Sequence, residues 1–173
     1  APDELLVRIE VPLMPPNARG TFLKLGLRQA QAISVVNVAV VVEFAGEPGP
    51  NTPVLSSHIA LGSVAPTIVS APDAEAYLAG KTLTDEVIEQ VANRAAAAAR
   101  PISDLRAGAD YRRAMVATLT ARALRQLRDG TERGGYPERP VMLWGHTDGH
   151  FAGYEHATRF DDQPRPIRFT LNG

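Results

Sequence analysis

The chain has no cysteine among its 173 residues. That excludes disulfides, a thiolate nucleophile and a cysteine-ligated iron–sulfur cluster within it, and it fits a reducing, cytoplasmic setting. Excess charge is also missing. Eighteen Lys and Arg stand against 19 Asp and Glu, for a net charge of −1, so nothing electrostatic points to nucleic acid or to an anionic membrane. No apolar run approaches the roughly 18 residues of a membrane span, and no basic-then-apolar secretory signal opens the chain. Neither a Walker loop nor a dinucleotide fingerprint is present, and the glycines at 20, 26, 46, 49, 62 and 80 sit where turns or helix ends are expected. Ser56, Ser57, Ser63 and Ser103 have no local base, and no nucleophile elbow occurs. No catalytic residue is expected.

What remains is ordinary for one folded domain, with 45% hydrophobic and 21% charged residues. The start, Ala1-Pro2-Asp3-Glu4, lacks methionine, runs straight into strand-like sequence and reads as an internal cut. Leu5 to Val11 alternates apolar and charged, which predicts a strand with one buried face. Pro12, Pro15 and Pro16 end it, and Thr21 to Leu25 is a second short strand. Ile33 to Phe44 carries valine at 35, 36, 38, 40, 41 and 42 and is apolar on both sides, with Asn37 as its one polar interruption, so it is placed centrally. A turn over 46–51 leads to Val54–Leu61, and these short connections predict an antiparallel meander.

Three helices follow. Ser70 with Pro72 is the expected start of the first and Gly80 its stop. Thr84 caps the second, whose stripe is Val87, Ile88, Val91, Ala92 and Ala95. The third runs from about Ala109 to Asp129, with Met115, Leu119, Leu124 and Leu127 inward, arginines outward and Gly130 as its stop. Strands before helices predict an α+β fold: a small antiparallel sheet of three or four strands packed on three helices, followed by an irregular tail. Residues 131–166 have the composition of a linker, and Ile167 to Gly173 alternates like the first strand of a further unit.

Three places carry chemically interesting residues. His146-Thr147-Asp148-Gly149-His150 with His156 offers three imidazoles and a carboxylate, but Gly145, Gly149 and Gly153 argue against the helix that would align them, so no metal site is expected. Ser103-Asp104-Leu105-Arg106 is a polar link between two apolar-faced helices, where the Asp and Arg would satisfy backbone groups. Lys24 and Arg28 flank Gly26 between a strand end and the central strand, as solvated surface or as cations facing an anionic or electron-rich ligand.

In order, Asp3-Glu4-Leu5-Leu6-Val7-Arg8-Ile9-Glu10-Val11-Pro12, Phe22-Leu23-Lys24-Leu25, Ile33 to Ala39, Ile59 to Thr67, Ser103-Asp104-Leu105-Arg106 and Tyr111-Arg112-Arg113 resemble one family. It is the C-terminal domain of the FAD-binding medium subunit of molybdenum hydroxylases, the family of carbon monoxide dehydrogenase and xanthine dehydrogenase. The resemblance covers about residues 3 to 128 and implies a domain over 1–130 that closes over the flavin edge and helps dock the subunit. It implies that most of the FAD is held by preceding subdomains, while molybdopterin and 2Fe–2S clusters belong to partner subunits or domains. The implied flavin-facing residues are Lys24, Arg28, Gln31, Ala32 and Ile33. Members often place an acidic residue and an aromatic where this chain has Gln31 and Ala32, and alanine cannot stack on a ring. Residues 167–173 look like the first strand of the 2Fe–2S small subunit, which would make 131–166 a linker between fused units. The implied role is part of an electron-transfer subunit, with no chemistry on its own. The alternatives are a stand-alone interaction or dimerisation domain without cofactor, and a small metal-dependent enzyme using the region His146 to His156.

Overall fold

A computed structural model describes residues 7, 9–28 and 31–136. Its architecture lies in the compact unit Ala1–Gly135. Strands β1 (Ala18–Gly26), β2 (Ser34–Phe44), β3 (Val54–Gly62) and β4 (Val69–Ser70) form one sheet in the order β1-β2-β3-β4. All three pairings are antiparallel. Helices α1 (Pro72–Leu78), α2 (Asp85–Ala98) and α3 (Ala109–Asp129) follow, so the expected α+β meander backed by three helices is present.

Register decides what is buried. Val38 stands opposite Leu23 and Leu61, and Val40 opposite Thr21 and Ile59, which puts them with Val36, Val42 and Phe44 on the face that carries the core. Asn37, Ala39, Val41 and Glu43 alternate with them and are half-buried on the other face. The core is completed by Ile88, Val91 and Ala95 of α2 and by Val116, Leu119, Leu124 and Leu127 of α3. α2 and α3 run antiparallel. Arg125 and Arg128 near the end of α3 bridge to Asp85 in the first turn of α2, and Arg125 also to Glu89. The two guanidinium groups hold the Asp85 carboxyl below its usual pKa, Arg128 contributing most.

Several local expectations hold. Thr84 Oγ1 accepts from Val87 N at 3.3 Å and caps α2. Gly130 ends α3 in the left-handed region at φ 68°, where a side chain would be strained. Arg19 of β1 reaches that same end and donates from Nη1 to Leu127 O at 2.8 Å, a cation at the negative pole of the helix.

Others are corrected. Val7, Ile9 and Val11 belong to no strand and are 85%, 75% and 78% exposed. Alternation makes a strand only where a sheet edge accepts its hydrogen bonds, and among the described residues β1 pairs with β2 alone. Leu5, Leu6 and Arg8 lie outside the described residues. Ser70 does not cap α1. It pairs with Ala60 as part of β4, and the cap position is Ala71, which makes no side-chain bond. The arginines of α3 do not all face outward, because Arg112 is 4% exposed. The linker at 131–166 falls almost wholly, and the strand at 167–173 wholly, outside the described residues.

Candidate functional site

The β1–β2 connection, the β3–β4 loop and the α2–α3 link meet at one end of the sheet, and two depressions open there. The first, about 480 Å³, is lined by Lys24, Leu25, Gly26, Leu27, Arg28 and Ala32. Lys24 stands opposite Asn37 in the β1–β2 register and is exposed. Arg28 follows the strand, is also exposed, and donates from Nη2 to Gln31 O at 3.0 Å. That bond closes a loop in which Gln31 takes a left-handed φ of 48°. Gly26 is needed for close approach: a Cβ there would come within 2.7 Å of the Ala32 Cβ. Of the five expected residues, Lys24, Arg28 and Ala32 therefore share one depression, Ile33 lines its neighbour, and Gln31 shapes the loop without lining either.

The second cavity, about 340 Å³, lies between Ile33, Pro66, Ile102, Arg100 and Arg106 over the buried Arg112. Arg112 Nη1 donates to Val35 O at 2.5 Å and to Ser63 O at 3.1 Å, and Nη2 donates to Asp104 Oδ1 at 2.7 Å. One side chain thus ties the first residues of β2, the end of β3 and the α2–α3 link. Asp104 Oδ1 also accepts from Arg106 N at 2.8 Å and Ala107 N at 3.1 Å, while Oδ2 accepts from Arg106 Nη1 at 3.1 Å. The Arg106 amide above all, with Arg112 and Ala107, holds this carboxyl far below the usual carboxylate range, against the opposing effect of desolvation. Ser103 Oγ accepts from Ala109 N at 2.9 Å and satisfies a free amide at the start of α3. The link is therefore what its residues suggested, a connection whose polar side chains satisfy backbone groups.

Sequence reasoning missed Arg112. The signal was there: with Val116, Leu119 and Ala123 it follows the three-and-four spacing of the buried stripe of α3. Among the described residues no group of His, Asp or Glu is placed to hold a metal ion, and the region His146 to His156 lies outside them. Among the described residues, too, no helix is long and apolar enough to cross a membrane.

The cations at the first depression can face an anionic or electron-rich group. The depression holds two exposed cations, with the exposed Leu27 in its lining and the exposed Ile33 next to Ala32 in sequence. It offers no aromatic to stack on a ring at 31 or 32.

The chain is similar to known proteins. Residues 21–127 match the family described as the CO dehydrogenase flavoprotein C-terminal domain. The carbon monoxide dehydrogenase medium chain of Hydrogenophaga pseudoflava is 34% identical over 122 residues, which are 70% of this chain and 40% of that one. The glyceraldehyde dehydrogenase medium chain of Sulfolobus acidocaldarius is 27% identical over 124 residues, 72% of this chain and 42% of that one. A solved structure of the Hydrogenophaga pseudoflava carbon monoxide dehydrogenase, lacking the Mo-pyranopterin moiety of its cofactor, superposes with a TM-score of 0.61 and 36% identity, covering 68% of this chain and 39% of that one. The chain thus spans about 40% of the length of the medium chains it matches. With its family match, identity and fold in agreement, the chain belongs to the CO dehydrogenase flavoprotein C-terminal domain family.

Proposed function

We propose that this chain is part of the FAD-containing electron-transfer subunit of a molybdopterin-dependent hydroxylase or dehydrogenase, where it shields the flavin and docks the subunit. The observation that carries this reading is the depression in which Lys24 and Arg28 stand beside the Gly26–Ala32 contact, at the open end of a domain of this family. FAD, when bound, would supply the chemistry that moves electrons from the oxidised substrate to an acceptor. The chain's own residues bind and position. Lys24 and Arg28 set positive charge at the ring edge and stabilise negative charge developing there. Leu27 excludes water, the bond from Arg28 to Gln31 O keeps the loop in shape, and Ala32 leaves room without stacking.

In the whole protein, preceding subdomains hold most of the FAD, and the partners are a molybdopterin large subunit and a 2Fe–2S small subunit or domain. The proposed organisation is a flavoprotein domain over 1–130, a linker over 131–166 and the first strand of a 2Fe–2S unit at 167–173, in a cytoplasmic enzyme.

The test is Lys24→Ala in the full flavin-loaded protein. The expected result is a flavin midpoint potential lower by tens of millivolts and slower flavin reduction, with subunit assembly intact. An unchanged potential and unchanged reduction kinetics would remove Lys24 from the ring.

A further inference from the structure

The cavity beside the α2–α3 link has an imbalance of charge that the fold does not use up. Three guanidinium groups line it, those of Arg100, Arg106 and Arg112, and the one acid among its lining residues is Asp104. That acid cannot serve them all. Its oxygens already accept two backbone amides, Arg106 Nη1 and Arg112 Nη2, and its depressed pKa keeps it ionised at any physiological pH. Three cations against one anion leave the cavity positive.

The donors left over are well defined. Arg112 is buried and spends its Nη groups on Val35 O, Ser63 O and Asp104, so it forms the floor. Arg100 uses Nη1 on Ala97 O and Ala99 O, and Arg106 uses Nη1 on Asp104. In both, Nε and Nη2 make no hydrogen bond among the described residues. Such an Nε–Nη2 edge presents two parallel N–H groups, the geometry that takes a carboxylate through both oxygens. Beside these cations the walls are apolar: Ile33 is 63% and Ile102 74% exposed, and Pro66 adds a third apolar surface. The volume of about 340 Å³ falls near the lower end of small-ligand pockets.

We propose that this cavity binds a carboxylate carried on an apolar body, with the carboxylate on Arg106 and Arg100 and the body against Ile33 and Ile102. The cavity is separate from the depression holding Lys24, and the proposal does not rest on the flavin reading. The same chemistry has two sources, a free small acid or the acidic side chain of a neighbouring polypeptide.

Calorimetric titration of the 173-residue chain with benzoate, with benzamide as the uncharged isostere, reads the site directly. Benzoate is expected to bind with a Kd of about 1 mM, with methyl shifts at Ile33 and Ile102, and benzamide at least about tenfold more weakly. Arg106→Gln should weaken benzoate by about tenfold, and Arg100→Gln by less. Arg100→Gln also guards the test should Arg106→Gln disturb the fold, because Arg100 makes no bond to Asp104. Absence of benzoate binding, equal binding of benzamide, or affinity unchanged in both variants would overturn the proposal. The intact flavoprotein then separates the sources. Benzoate binding there as well assigns a free acid, whereas binding to the isolated chain alone assigns a side chain already seated in the assembly.

Discussion

The β1–β2 connection separates two depressions that differ in how their cations are held. On one side Arg112 is buried and bonded to two carbonyls and a carboxylate, so its position is fixed by the fold. On the other, Lys24 is exposed and makes no side-chain bond among the described residues, and Arg28 bonds only to the carbonyl of Gln31 in its own loop. A guanidinium with every Nη group committed organises backbone, because moving it would strand buried acceptors. Cations left in water cost the fold little and remain available to a ligand. Arg112 orders this end of the domain, while Lys24 and Arg28, and Arg100 and Arg106 beside Arg112, keep donors unused among the described residues, with Ile33 two residues from the carbonyl that Arg112 holds.

The largest effect is expected at Arg112. Arg112→Ala leaves the Val35 and Ser63 carbonyls without their donor and should cost about 2–4 kcal/mol in urea unfolding. Arg112→Lys should recover only part of this, because an ammonium cannot reproduce the fork. Equal stability of Arg112→Ala and the parent chain would mean that the three segments are ordered by something else.

Gly26→Ala acts on the opposite side. The new methyl meets the Ala32 Cβ at 2.7 Å, so the loop must shift, at about 1–3 kcal/mol. Amide shifts should be concentrated at residues 26–33 and leave the Arg112 contacts unperturbed. Thr84→Ala is the control. It removes the α2 cap for about 1 kcal/mol, and since α2 has 14 residues its start lies about 21 Å from the end that leads into the cavity. Both depressions should keep their spectra.

The smallest effect near neutral pH is electrostatic. Asp104, Asp85 and Asp129 have pKa values lowered in the folded state. Below their unfolded value of about 3.9 the unfolded chain binds more protons than the folded one, so their stabilisation is complete above about pH 5 and fades as the pH falls. Asp104→Asn should flatten this acid limb, as read from urea midpoints between neutral and acid pH.

These regions also differ in how far the sequence disclosed them. β2 was legible because a run of valines suits only a pleated, buried strand, and Thr84 and Gly130 because cap chemistry is local. Alternation misleads at Val7, Ile9 and Val11, since it records a preference for two environments and not the presence of an edge to pair with. β4 escaped because two residues carry no period, and its pairing with Ala60 and Leu61 is set by the chain's return across β3. Lys24 and Arg28 flank Gly26, a local pattern that reads equally as solvated surface, and only the family resemblance turns it toward a ligand. Arg112 reads as surface by its charge, although its spacing matches the core stripe of α3. Its partners at 35, 63 and 104 are distant in sequence and converge only through the fold.

A visible spectrum and intact mass of the protein purified from its natural source should show flavin and iron–sulfur bands on a polypeptide well above 18.6 kDa. A colourless protein of that mass would contradict the electron-transfer reading and leave a domain that acts alone.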